Sequence, residues 1–178
     1  MDSGKFSKMI EPSSSVLYDF SKTDQMNDWL IVNDGVMGGL STSAFAVGDQ
    51  NTAVFEGHVT TENNGGFAST RTKPKAFELG KYSGIRMRIL GDGKTYQFRI
   101  HTSRQFDGVA YRQLFQTKVN EWQIVEIPFE ACLPVFRGRI LRDVPPINPQ
   151  NIQQIGFLLG DKQIGNFRLE VAWIEAYI

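Results

Sequence analysis

Apolar and polar residues alternate with a period of two along much of this chain. In Gly84–Leu90, Ile85, Met87 and Ile89 fall on one side, and Arg86 and Arg88 on the other. Thr95–Thr102 repeats the pattern, with Tyr96, Phe98 and Ile100 opposed to Gln97, Arg99 and His101. Val109–Lys118 and Trp122–Ile127 read as two more such strands, the last ended by Pro128. Period two is the mark of a half-buried strand. Shorter strands are predicted at Val16–Phe20, Trp29–Val32, Thr42–Val47, Ala53–Thr60 and Phe67–Thr72. Ile152–Leu159 has a continuous apolar end and reads as a central strand. In Phe167–Ile178 the alternation changes phase between Val171 and Ile174, which predicts a bulge or burial on both faces. Turn chemistry separates these runs at Gly48-Asp49-Gln50-Asn51, Asn63-Asn64-Gly65-Gly66 and Asp92-Gly93. Asp92-Gly93 reads as a hairpin that joins the two arginine-bearing strands. Ser21–Asp28 holds at most a helical turn, and Pro134–Pro149 reads as a long irregular segment. The fold class that follows is all-β, an antiparallel sandwich or barrel.

One stretch departs from alternation. The strand Trp29–Val32 runs into Asn33, Asp34, Gly35, Val36, Met37, Gly38, Gly39 and Ser41. Glycine reaches positive φ freely, and Asn and Asp bond their own backbone, so this is turn chemistry. Apolar Val36 and Met37 inside it predict a packed loop that comes close to the rest of the fold or to a ligand. The string NDGVMGGLS resembles the signature of the complex I intermediate-associated protein 30 family. The resemblance continues through Asn64-Gly65-Gly66-Phe67-Ala68-Ser69 with Arg71, then Gly91-Asp92-Gly93-Lys94 with Tyr96. It goes on through Trp122, Ile127-Pro128-Phe129 and Phe136-Arg137-Gly138. The resemblance implies a galactose-binding-like jelly roll, similar to some carbohydrate-binding modules. It also implies a chaperone-like assembly factor that holds intermediates of respiratory complex I, the NADH:ubiquinone oxidoreductase.

A length of 178 residues suits one domain, expected over residues 16–178 behind a loose polar arm at 1–15. Formal net charge is +0, so no global field draws the chain to nucleic acid. No apolar run approaches membrane-spanning length. Cys132 is the only cysteine; it reads as a small buried hydrophobe and fits a reducing compartment. The first residues lack the apolar centre of a secretory signal and the arginines of a transit peptide. A cytoplasmic location is expected, with the mitochondrial matrix as the alternative for a mature form.

Enzyme signals are weak. Gly93-Lys94-Thr95 lacks the earlier glycine of a phosphate loop, since Arg88 stands there, and no GxGxxG occurs. His58 and His101 lie far apart and show no metal spacing. Asp34 reads as an Asx turn ahead of a calcium ligand, because no second carboxylate joins it. No cofactor, catalytic set or metal site is therefore expected.

Binding is expected in its place. If consecutive strands pair in order, Arg86, Arg88, Gln97, Arg99, His101 and Arg112 form one outward face rich in guanidinium. With Asn33, Asp34, Met37, Gly38, Gly39 and Ser41 of the loop, and with Arg71 and Arg137, this face is the candidate surface for a protein partner. A carbohydrate-binding module using the same face is the alternative. Sugar platforms present exposed aromatics, however, and candidates such as Tyr111 are not placed by sequence. Phe136-Arg137-Gly138-Arg139 reads either as a loop strapped to the core or as a docking edge.

Overall fold

A computed structural model describes residues 14–178, with the side chains of Thr23, Val36, Met37 and Asn64 outside that description. The arm expected over 1–15 thus lies, up to residue 13, outside the described residues, and Ser14 and Ser15 already belong to a strand. Thirteen strands among the described residues form two antiparallel sheets. They are β1 (Ser14–Asp19), β2 (Trp29–Ile31), β3 (Thr42–Val47), β4 (Ala53–Val59), β5 (Ala68–Thr72), β6 (Gly84–Leu90) and β7 (Thr95–His101). The rest are β8 (Ala110–Gln116), β9 (Trp122–Pro128), β10 (Leu133–Phe136), β11 (Arg139–Ile140), β12 (Gln154–Leu159) and β13 (Gly165–Tyr177).

The first sheet runs β3-β4-β13-β6-β9, and β1 also pairs with β13 beyond the end of β4. The second sheet runs β11-β10-β8-β7-β12-β5-β2. Between them lies one aromatic-rich core. Tyr18, Phe20, Trp29, Phe45 and Phe157 pack ring on ring, and Phe55, Phe167, Tyr96, Phe115 and Phe98 extend the same layer. Edge-on and offset contacts of this kind suit the ring quadrupole. Of the sandwich or barrel that the alternation predicts, the fold is the antiparallel sandwich. The phase change in the last strand is real: β13 shifts register against β6 between Val171 and Trp173. The central reading of residues 152–159 also holds, since β12 lies between β7 and β5.

Two expectations are corrected. Asp92-Gly93 is no hairpin, because β6 belongs to the first sheet and β7 to the second. The connection is a crossover, pinned beside the one from β8 to β9. Thr117 Oγ1 accepts from the Gly93 amide at 3.0 Å and donates to the Lys94 carbonyl at 2.7 Å. A Cβ on Gly91 would lie 2.1 Å from Thr117 Cβ, so glycine is required there. Asp92 accepts from the Tyr96 hydroxyl at 3.0 Å and from the Arg168 amide at 2.9 Å, which ties the crossover to both sheets. The second correction concerns the proline-rich stretch, which is not wholly irregular. β10 and β11 pair through an Arg137-Gly138 turn, both residues having positive φ, and form the edge of the second sheet.

Candidate functional site

The glycine-bearing loop is built around one buried carboxylate. Asp34 is fully buried. Its Oδ1 accepts from the Ser41 amide at 3.0 Å; its Oδ2 accepts from the Ser41 hydroxyl and from the amides of Gly66 at 2.8 Å and Phe67 at 3.3 Å. Burial alone would raise the Asp34 pKa, but these hydrogen bonds outweigh it and hold the carboxyl below its usual range. A Cβ on Gly39 would meet Asp34 Cγ at 2.4 Å, and one on Gly65 would meet Oδ2 at 2.6 Å. Those glycines therefore exist to let two turns close on Asp34. Gly38 ends the 3₁₀ turn at φ 86°. Asn33 works the same way, its Oδ1 accepting from the Ser43 hydroxyl at 2.8 Å and the Ser69 amide at 3.2 Å. The loop residues singled out from the sequence thus face inward at Asn33, Asp34 and Ser41. They hold β2, β3 and β5 together, and both carboxylate oxygens of Asp34 accept hydrogen bonds. The side chain of Met37 lies outside the described residues.

The single arginine face expected from sequence does not exist. Because β6 and β7 lie in different sheets, the arginines divide between opposite sides of the molecule. On the first sheet every guanidinium has company. Arg86 stands in register with Glu175 on β13 and Glu126 on β9. It pairs with them at 2.8 and 3.6 Å and lies 5.4 Å from the Tyr177 ring centre. The Glu175 hydrogen bond, ahead of the charge effects, raises the Arg86 pKa. Arg88 covers the Trp122 ring at 4.3 Å. Arg168 reaches Glu56 at 3.5 Å and Glu170 at 3.2 Å.

The second sheet differs. One row of directly paired positions crosses its outward side: Leu30, Arg71, Gly156, Arg99, Arg112 and Leu133. None of the three arginines makes an ion pair among the described residues. Arg99 donates to Gln97 Oε1 at 2.9 Å, and Arg71 donates to the Phe106 carbonyl at 2.7 Å while stacking 4.6 Å over the Phe106 ring. Burial, then Arg112 and Arg71, bring the Arg99 pKa down to about 10 against a smaller pull from Asp161. His101 lies beside the row at 6% exposure. Burial first, then Arg71 and Arg99, push it down to about 3, so the ring is neutral near pH 7. The loop 102–109 roofs this end, with Gln154 Nε2 donating to the Ser103 carbonyl at 3.1 Å. Sequence reasoning missed Phe106, Gln154 and Asp161. The β12 register sets Gln154 opposite His101, the β7–β8 loop brings Phe106 to Arg71, and the turn after β12 brings Asp161 to Gln97.

Other candidates carry less. Arg137 is exposed and pairs with Asp107 at 2.9 Å, at the rim of the same side. Tyr111 points into the core with its hydroxyl on the Pro145 carbonyl at 2.9 Å, so it offers no stacking platform. His58 and His101 lie on opposite sheets, the former bonded to Asn166 Oδ1 at 2.8 Å. Cys132 is buried, and burial pushes its thiol up to about 12. A shallow depression of about 490 Å³ on the first sheet is lined by charges already paired with one another, Asp92 with Lys94 and Glu56 with Arg168.

The profile of the complex I intermediate-associated protein 30 family matches residues 18–171. This chain belongs to that family. Relatives carrying the name include a probable mitochondrial member from Caenorhabditis elegans, 28% identical across 90% of this chain and 53% of its own length. The mitochondrial protein of Drosophila melanogaster is 25% identical across 90% of this chain and 62% of its own. The chain thus spans just over half the length of these relatives. An uncharacterized protein of Schizosaccharomyces pombe is 28% identical across 84% of this chain and 77% of its own. Among solved structures, a family 11 carbohydrate-binding module from a cellulosomal cellulase of Clostridium thermocellum superposes with a TM-score of 0.72. It shares 18% identity over 92% of this chain and 94% of that one. At that identity the likeness establishes the shared jelly-roll sandwich. In this chain the NDGVMGGLS stretch forms the Asp34 clasp, and the Asn-Gly-Gly-Phe stretch supplies two of the amides that the clasp binds.

Proposed function

We propose that this chain is a non-catalytic binding module whose partner is a protein intermediate in the assembly of respiratory complex I. The observation that carries the reading is the family match across residues 18–171, which spans both sheets from β1 to β13. The side chains support binding ahead of turnover. His58 is engaged by Asn166, His101 is buried beside arginines, and the Cys132 thiol is buried. The first sheet's outward arginines are engaged internally, and this reading assigns the partner to the second sheet's arginine row with Leu30, Leu114 and Leu133. A rigid sandwich of this kind presents a preformed patch and loses little entropy on binding.

A glycan reading gains no comparable support. Tyr111 is inward, and Phe106, the one exposed ring at the row among the described residues, is stacked on by Arg71. The relatives' names place them in mitochondria, which supports the mitochondrial matrix ahead of the cytoplasm for this chain. No helix among the described residues is long and apolar enough to cross a membrane. The test is affinity capture from the native host with the tagged full chain. Recovery of complex I subunits at an early assembly stage is expected. Capture that never contains a complex I subunit, in a host that makes the complex, overturns the reading.

A further inference from the structure

We propose that Arg71, Arg99 and Arg112 form an oxyanion site that takes a carboxylate side chain from an acidic, leucine-flanked segment of the bound protein. The inference rests on the second sheet being the protein-binding face, but not on which protein binds. Four observations carry it.

First, the three guanidiniums belong to one row. Arg99 and Arg112 are direct cross-strand partners, with Cα atoms about 5 Å apart. Arg71 stands two strands from Arg99, about 10 Å away, on the far side of Gly156. Like charges directly opposite one another on a sheet destabilise it. The first sheet shows the ordinary solution, a glutamate opposite each side of Arg86. Second, no nearby carboxylate forms an ion pair with the row among the described residues: burial lowers the pKa of Arg71 and Arg99, and Asp107 and Asp161 oppose it only in part. Asp161 accepts from Gln97 Nε2 at 3.2 Å, and Asp107 pairs with Arg137. Third, Gly156 puts no side chain between Arg71 and Arg99. A Cβ there would lie 2.7 Å from Arg71 Cβ and 2.3 Å from the Thr70 carbonyl. Arg71 and Arg99 therefore flank a position that carries backbone alone, and guanidiniums are the groups that grip a carboxylate by charge-assisted hydrogen bonds. Fourth, the row ends in apolar side chains, Leu30 at 43% exposure and Leu133 at 48%, with Leu114 at 44% two residues along β8 from Arg112. Exposed leucines beside unpaired arginines fit a peptide carrying both acidic and apolar side chains. They do not fit a sugar, which would need free ring faces.

The experiment titrates the full-length chain by calorimetry with a capped peptide, Gly-Leu-Glu-Leu-Glu-Leu-Gly, and with its glutamine counterpart. An oligogalacturonate serves as the glycan arm. Binding of the glutamate peptide, at least tenfold weaker binding of the glutamine peptide, and a further loss of about tenfold in Arg99→Gln are expected, because each lost contact is a charge-assisted hydrogen bond. Arg112→Gln, whose side chain makes no hydrogen bond among the described residues, should show the same loss while melting no lower than wild type. Bound carboxylate should also move the His101 ring signal in a nitrogen–proton spectrum, which Arg86→Gln leaves unaltered. Equal binding of the two peptides, binding of neither, or binding of the oligogalacturonate alone overturns the site. Peptide binding without capture of complex I subunits keeps this site and removes the proposed client; capture without peptide binding does the reverse.

Discussion

The two outward faces of this sandwich are built from similar strands and have opposite electrostatics. On the first, Arg86 meets Glu175 and Glu126, Arg168 meets Glu56 and Glu170, and Arg88 lies on Trp122. On the second, Arg99 faces Arg112 across the strands, and after burial itself the neighbouring arginines lower the pKa of Arg99 and His101. Satisfied charge is scaffolding, and its removal should weaken the fold. Unsatisfied charge held in place by a rigid sheet is a cost that a partner can offset, and its removal should weaken only binding.

The largest expected effect tests what holds both faces in place. Asp34→Ala leaves the Ser41, Gly66 and Phe67 amides without their acceptor and should cost about 3 kcal/mol or more. Urea unfolding reads this directly. A loss below about 1 kcal/mol would mean that the loop is not the clasp. The next effect belongs to the second face alone. An unfolded histidine titrates near pH 6.5, whereas buried His101 does so at about 3. Between those values the unfolded chain binds a proton that the folded chain rejects. Stability is therefore full above about pH 6.5 and falls with pH at up to about 1.4 kcal/mol per unit. His101→Gln should flatten that slope in denaturation curves taken from pH 7 to pH 4. Asp34, whose folded pKa is depressed, adds a separate loss only below about pH 4.

The smaller effects set the faces against each other. Arg86→Gln should destabilise by about 0.5 kcal/mol, since Glu175 and Glu126 lose their partner. Arg112→Gln should have the opposite sign, a gain of about 0.5 kcal/mol or less from relieved repulsion. Thermal melts of the two variants side by side check this, and shifts in the same direction would erase the contrast.

Much of the architecture was readable in the residues, and the limits have physical causes. The alternation of Ile85, Met87 and Ile89, and of Tyr96, Phe98 and Ile100, marks which side of each strand meets the core. Both sheets meet the same core, so alternation carries no information about sheet membership. Asp92-Gly93 is a local hairpin signal overridden by nonlocal bonds from Arg168 and Thr117. That override splits the expected arginine face in two. Asp34 was legible as a turn former but not as a clasp, because its donors stand 7, 32 and 33 residues away. Arg71, Arg99 and Arg112 were legible singly as outward arginines. Their union in one row depends on β12 entering between β5 and β7, which brings Gly156 into the gap.

The most direct test is quantitative capture from the native host with two double variants, Arg99→Gln/Arg112→Gln and Arg86→Gln/Arg88→Gln, each shown to be folded by its melt. The account predicts that the first loses the client to background while the second recovers it at the wild-type level. Undiminished capture by the first, or loss confined to the second, would contradict it.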